Sequence, residues 1–295
     1  MVLKDGSSTL STSFMGSCKS YSQADVIIVG VPMDYTASFK PGARFGPRKI
    51  REVSAGIEEY SFYQNISLEG QKYFDCGDLD LPFDVEKSLL LISKAAEEIF
   101  NDEKFPLFIG GEHLISTPVI QKAYEKYGDE LILLHFDAHA DLREDYLGCQ
   151  SSHACAIRRV AELIPGKNIY QFGIRSGTKE EYSYGFTNTN FYMFDVAKPL
   201  MEVIEKLKNK PVYVTLDIDV VDPAFANGTG TPEPGGITSS EMIKAILMLK
   251  NLDMVGFDIV EVAPPYDISD RTSLLAAKII REIILIANTK YLAER

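Results

Sequence analysis

The chain has 295 residues, 45% of them hydrophobic and 24% charged, and a formal net charge of −12. That size and balance suit a globular protein with one large core. The acidic charge speaks against nucleic acid as a partner, because phosphates need clustered Lys and Arg, and it favours a cationic ligand. No apolar run approaches ~18 residues and the first residues carry no apolar leader, so no membrane contact and a cytoplasmic location are expected. The cysteines, Cys18, Cys76, Cys149 and Cys155, form no CxxC pair and read as free thiols of a reducing compartment.

In chain order, the first ~20 residues read as a loosely ordered arm. Residues 25–31 (DVIIVGV) form the first candidate strand, and residues 85–100 have apolar side chains at helical spacing. A strand at 106–109 (PLFI), a helix at 116–127 and strands at 130–136 (ELILLHF), 168–174 (NIYQFGI), 191–195 (FYMFD) and 211–218 (PVYVTLDI) follow. Residues 229–236 (TGTPEPGG) are a loop, since their Gly and Pro content suits neither helix nor strand. A helix at 239–250, opened by the cap and acidic first turn of Ser239-Ser240-Glu241, a strand at 254–260 (MVGFDIV) and a helix at 273–286 complete the pattern. Several strands are apolar on both faces, as strands covered by helices on both sides should be. The alternation predicts an α/β fold: three layers, α-β-α, around a mainly parallel central sheet. No Gly/Ser/Pro linker divides the chain, so residues 1–295 are expected to form a single domain.

The polar chemistry gathers at strand ends. All four histidines, His113, His135, His139 and His153, fall between residues 113 and 153. In an open parallel sheet the carboxyl edge of the strands is where ligands bind. His135-Phe-Asp137-Ala-His139-Ala-Asp141 leaves an apolar strand, and alternation in an extended chain is expected to point its four polar side chains to one side. Asp217-Ile-Asp219 closes another strand, where two carboxylates facing one way repel each other unless a cation lies between them. Gly110-Gly111-Glu112-His113 follows a third, its glycines permitting a tight turn. Taken singly, each motif also reads as a polar loop or a solvated strand end; their coincidence points to metal. Together they offer two His and four Asp, with His135 and His153 in reserve. A carboxylate-rich, thiolate-free set suits hard divalent ions, and four carboxylates suit two of them about 3.5–4 Å apart. Manganese fits best, with magnesium as the harder-ligand alternative. Asp258-Ile-Val-Glu261 places a further carboxylate beyond a strand, where it could hold a planar cation by a bidentate pair. The residues by themselves reach a metal-activated hydrolase.

GGEH, HFDAHADLR, SHACAIRR, LDIDVVDPAFANGTGTPEPGG and DIVEVAPPYD match, in order and spacing, the motifs of the ureohydrolase (arginase/agmatinase) family. The chain resembles that family over roughly residues 25–290, and GVPMDYTASFKPGARFGPRKIREVS resembles its agmatinase branch. The resemblance implies an arginase-like fold, two Mn2+ per chain, and hydrolysis of a small cationic guanidino substrate to urea and an amine by a metal-bridging hydroxide. It implies that His113 and Asp141 bind one ion, His139 and Asp219 the other, and that Asp137 and Asp217 bridge them. Asp141 would also accept a hydrogen bond from the hydroxide. His153 would carry a proton to the leaving amine, Glu261 would pair with the guanidinium, and Thr231 would line the pocket beside it. His135 would stand behind the ligands rather than among them. A homotrimer or homohexamer is implied as well.

Arginase proper has an Asn- and Ser/Thr-rich loop that grips the amino-acid head group; residues 142–152 here read LREDYLGCQSS. Its acids Glu144 and Asp145 would repel a carboxylate and tolerate an amine, so agmatine is expected over arginine, giving putrescine and urea. SHACAIRR departs from the SHGTPFRR of many agmatinases, which leaves the effect of Cys155 on specificity open. Aminopropyl-agmatine and guanidinobutyrate are the other guanidino candidates. A catalytically silent metal-binding protein on the same fold would have lost a ligand or His153, and none of these is missing.

Overall fold

A computed structural model describes residue 3, residues 13–18 and residues 20–293. The strands are β1 Val26–Val31, β2 Tyr60–Ser61, β3 Ile66–Ser67, β4 Tyr73–Asp78, β5 Phe105–Gly110, β6 Ile132–Phe136, β7 Ile169–Ile174, β8 Asn190–Met193, β9 Pro211–Asp217 and β10 Asp253–Val260. The helices are α1 Gly46–Ser54, α2 Val85–Asn101, α3 Ser116–Tyr127, α4 Ala156–Ala161, α5 Lys179–Asn188, α6 Ala197–Leu207, α7 Ser239–Met248 and α8 Arg271–Ala293. Eight strands form one sheet in the order β4-β1-β5-β10-β9-β6-β7-β8, with every neighbouring pair parallel. β2 and β3 make a separate antiparallel hairpin.

The sheet is buried because its strands are apolar on both faces. β1 (VIIVGV) and β5 (FPLFIG) are buried along their whole length. Alternate side chains of a strand go to opposite faces. Val26 and Ile28 accordingly join the core that holds Ile50 of α1, Val203 of α6, Ile243 of α7 and Ile280 of α8. Ile27 and Val29 join the opposite core, with Ile92 of α2, Val119 of α3 and Ile157 of α4. This is the three-layer α-β-α arrangement that the sequence predicts. The sheet is parallel throughout rather than mainly so. Among the described residues no helix is long and apolar enough to cross a membrane.

The helices begin where side chains can satisfy their first N–H groups. Asp84 caps α2 by accepting from the Lys87 N–H at 3.0 Å. α7 is capped one residue earlier than expected, by Thr238, whose side chain accepts from the Glu241 N–H while Glu241 accepts from the Thr238 N–H. That reciprocal pair is a capping box, which satisfies two orphan donors at once. α5 opens the same way, with Thr178 and Glu181.

β4 is the one strand of the main sheet missing from the sequence reading. It reads YFDCGD, and its two carboxylates disguise it. Arg51 of α1, 1% exposed, holds both: its Nε and Nη2 meet Asp75 at 2.7 and 2.9 Å, and its Nη1 pairs with Asp78. Asp75 also accepts from the Phe14 N–H at 2.7 Å. Phe14 is fully buried, so this part of the expected arm is packed against the sheet's edge. The rest of the expected N-terminal arm lies largely outside the described residues. All four cysteines are free; Cys155 is buried, and that burial pushes its thiol up to about 11.

Candidate metal centre

The four central strands, β5, β10, β9 and β6, deliver their carboxyl ends to one place. His113 follows β5, residues 137–141 follow β6, Asp217 and Asp219 straddle the end of β9, and Glu261 follows β10. Gly111 makes the turn after β5 possible, because a Cβ there would lie 2.1 Å from the Met33 carbonyl.

His113 Nδ1 faces three carboxylate oxygens: Asp137 Oδ2 at 3.0 Å, Asp141 Oδ2 at 3.2 Å and Asp217 Oδ2 at 3.5 Å. His139 Nδ1 faces Asp219 Oδ2 at 2.9 Å and Asp137 Oδ1 at 3.5 Å. Asp137 therefore shows one oxygen to each histidine. Two hydrogen bonds fix these directions: Asp217 Oδ1 accepts from the Asp219 N–H, and Asp219 Oδ1 accepts from the Ala138 N–H. The six residues named as ligands thus come together in two adjoining groups.

The expectation that His135, Asp137, His139 and Asp141 share one side of an extended segment needs correction. The strand ends at Phe136, and Asp141 takes a left-handed backbone conformation (φ 53°). That turn brings Asp141 back to His113; extended chain would carry it away. Glu261 is left-handed too (φ 64°), which turns its carboxylate under the His113 N–H that donates to it at 2.8 Å.

The tautomer of His113 follows from its other ring nitrogen. Nε2 lies 3.0 Å from Thr215 Oγ1, and the Thr215 hydroxyl donates to Asp258 Oδ1 at 2.6 Å. The threonine proton being so used, Nε2–H must donate to it. Nδ1 is then a bare lone pair facing three oxygens, without a hydrogen-bond partner, and Asp219 Oδ2 also lacks one. Such an array is repulsive unless a cation sits in it. Where no metal is bound, a proton on Nδ1 would take that cation's place. Burial alone would depress His113, but Asp137, Asp141 and Asp217 push it well above its ordinary range. Burial, with Asp219 and then Asp137 beside it, raises Asp217 well above the carboxylate range, and burial next to Asp137 brings Asp141 up to about 7. The donor set is nitrogen and oxygen only, with no thiolate, and it fits hard divalent cations.

His135 can be grouped by distance with His113 and Asp137. Both its ring nitrogens are already engaged. Nε2 is 2.8 Å from Asp137 Oδ2, and Nδ1 accepts from the Gln171 side-chain amide at 3.1 Å. Gln171 also donates to the Ala140 carbonyl and accepts from Thr189. Gln171, Thr215 and Asp258 stand directly behind the histidines. Sequence reasoning passed over the first two, which sit in the middle of β7 and β9 with mostly apolar residues around them. It gave Asp258 no task beyond the DIVE motif. That polar interruption was the available signal.

Beside this cluster opens a cavity of about 250 Å³, lined among others by His113, His139, Asp141, His153, Thr231 and Glu261. His153, Thr231 and Glu261 are thus on its wall, as expected. Pairing of Thr229 with Val262 sets the Thr231 loop against the end of β10. Burial depresses the His153 imidazole to about 4 and, with Glu112 near by, pushes the Glu261 carboxyl up to about 8. Glu144 and Asp145 do not reach the cavity. Glu144 faces Arg158, and Asp145 caps the Gly148 N–H. Besides Asp141, Asp217 and Glu261, the wall carries the acid Glu181, with Arg143 3.4 Å from it and stacked over Tyr146. Cys155 is buried beside the wall rather than on it.

The arginase family model matches residues 24–286. The agmatinase of Bacillus subtilis is 50% identical over 276 residues, 92% of this chain and 95% of its own length. The guanidinobutyrase of Pseudomonas aeruginosa is 35% identical over 275 residues, 89% of this chain and 86% of its own. The crystal structure of agmatine ureohydrolase of Thermoplasma volcanium superposes with a TM-score of 0.87 at 31% identity, covering 97% of each chain. With its motifs, its sheet and its matches all in register, the chain belongs to the arginase family of ureohydrolases.

Proposed function

We propose that the chain, as one ureohydrolase domain, hydrolyses agmatine to putrescine and urea with two manganese ions, in the cytoplasm and as a homotrimer or homohexamer. The observation that carries the metal is the bare His113 Nδ1 aimed into three carboxylate oxygens. His113 and Asp141 would hold one ion, His139 and Asp219 the other, with Asp137 and Asp217 shared. When bound, two such ions supply a water-derived nucleophile at neutral pH. Glu261, buried and raised, is an acid waiting for a cation, and a guanidinium laid against it draws it into the ionised form. Thr231 lines the wall beside that pair. Asp141 would also accept a hydrogen bond from the attacking water. His153 is neutral at pH 7, so a proton reaching the leaving amine passes through its ring rather than being stored there.

The substrate rests on the agmatinase relatives, since the acids first expected to select the amine stand away from the cavity. A second reading has its own observation. Arg143 lines the cavity, and a carboxylate-tailed guanidino compound such as guanidinobutyrate could compete with Glu181 for it. Urea release from agmatine, guanidinobutyrate, arginine and aminopropyl-agmatine after manganese loading separates these. Agmatine is expected to give the highest kcat/KM. Preference for guanidinobutyrate would move the assignment to the second reading, and no urea from any of the four would end the proposal.

The support behind the ligands is expected to matter measurably. Gln171→Leu removes the donor that fixes the His135 ring, which in turn holds Asp137. It should weaken manganese binding by about 10–100-fold, the usual effect of losing such a partner. Equilibrium dialysis reads this directly, and native affinity in the variant would show that His135 needs no such hold.

A further inference from the structure

The mechanism leaves unexplained a buried carboxyl one residue before His113. Glu112 is 0% exposed. Its Oε2 accepts from the Thr36 N–H at 2.8 Å and from the Thr36 hydroxyl at 2.9 Å. Thr36 belongs to the loop between β1 and α1, far from Glu112 in sequence, and the same hydroxyl oxygen meets His153 twice. It accepts from the His153 N–H at 3.0 Å and lies 3.3 Å from His153 Nδ1. On the other side of the ring, Ser38 Oγ is 3.1 Å from Nε2 and lines the cavity.

One arrangement of the ring gives both of its nearer contacts a donor and an acceptor. A hydroxyl has a single proton. Thr36 gives its proton to Glu112, so towards His153 it can only accept. A hydrogen on Nδ1 gives that contact its donor, and Nε2 is left as the lone pair, turned to Ser38 and the cavity. Ser152 Oγ, 3.4 Å from Nδ1, is the more distant neighbour of that nitrogen. We propose that Thr36 and Glu112 are positioning residues for His153, holding its ring as the Nδ1–H tautomer so that Nε2 is the atom through which protons pass. This rests on the proton role proposed for His153.

The logic is that of any histidine whose task needs one particular nitrogen free: a partner on the other nitrogen sets the tautomer. The first loop of the chain thereby takes part in the site as an orienting strap across His153. Nothing in the motif SHACAIRR indicates that its histidine is held by residue 36.

Two measurements test this separately. The first is the 15N–1H long-range spectrum of the chain loaded with diamagnetic zinc, with His153 assigned by comparison with His153→Ala. It is expected to show Nδ1–H in the native chain and a mixture of tautomers in Thr36→Val and in Glu112→Ala, where the constraint on Nδ1 is gone. Nε2–H in the native chain, or an unchanged Nδ1–H in both variants, overturns the proposal. The second is kinetic. Thr36→Val is expected to lower kcat at least about tenfold, with KM within about twofold and metal content unchanged, and Thr36→Ser to regain most of the rate. Native kcat in Thr36→Val, a Ser variant as slow as the Val variant, or a rate loss that follows loss of metal or of the melting midpoint, overturns it. If the native chain releases no urea from any guanidino compound, the function proposed above fails, and the tautomer measurement still decides this inference.

Discussion

Asp137→Ala should strip the centre of metal. The residue shows Oδ2 to His113 and Oδ1 to His139, so one substitution removes a donor from both groups and also the acceptor for His135. Of the remaining carboxylates, Asp141, Asp217 and Asp219, only Asp217 is then left to tie the two positions together. Metal per chain after desalting is expected to fall from two to well below one. Urea release should fall by at least about a thousandfold, since the lost activation is worth several kcal/mol. Elemental analysis and steady-state kinetics on the same preparation check both. Two retained ions would sink the shared-ligand assignment. Asp217→Ala should move in the same direction.

Arg51→Ala acts on stability rather than on the site. The guanidinium is fully inside the protein and balances Asp75, itself buried, and Asp78. Removing it leaves carboxylates without their cation beneath the edge of the sheet, and frees the anchor that also holds Phe14. Breaking one partner of a buried pair typically costs about 3–5 kcal/mol. A shift of that size should be plain in urea denaturation, with the melting point lowered in step. A change below about 1 kcal/mol would mean that water reaches Asp75 and Asp78 in the folded chain. Arg51→Lys should fall between, because an ammonium cannot reproduce the fork that meets both oxygens of Asp75.

What could be read beforehand follows physical lines. Strands such as VIIVGV and PVYVTLD announce themselves because covered parallel strands are apolar on both faces. β4 does not, because Asp75 and Asp78 look wrong for a strand until Arg51, from another element, is seen to balance them. α5 has no apolar stripe to find, although Thr178-Lys-Glu-Glu181 spelled out its start. The six residues that gather at the centre were legible because costly polar groups leaving an apolar strand need a reason. Their convergence was not, since it depends on left-handed turns that no residue type dictates. The role of Gln171 and the grip of Thr36 on His153 depend on contacts between residues far apart in the chain. The acids Glu144 and Asp145 show the reverse error: position in a loop near the site says little about which way a side chain faces.

The left-handed turns at Asp141 and Glu261 also bear on stability. For side chains with a Cβ, this conformation costs about 1–2 kcal/mol, and glycine escapes it. Glycine would relieve that strain at the cost of its own chain entropy, and at Glu261 it would also strip the buried His113 N–H of its acceptor. The strained turn and the hydrogen bond are thus two sides of one constraint: the backbone at Glu261 is bent so that a single carboxylate can both seat His113 and face the cavity.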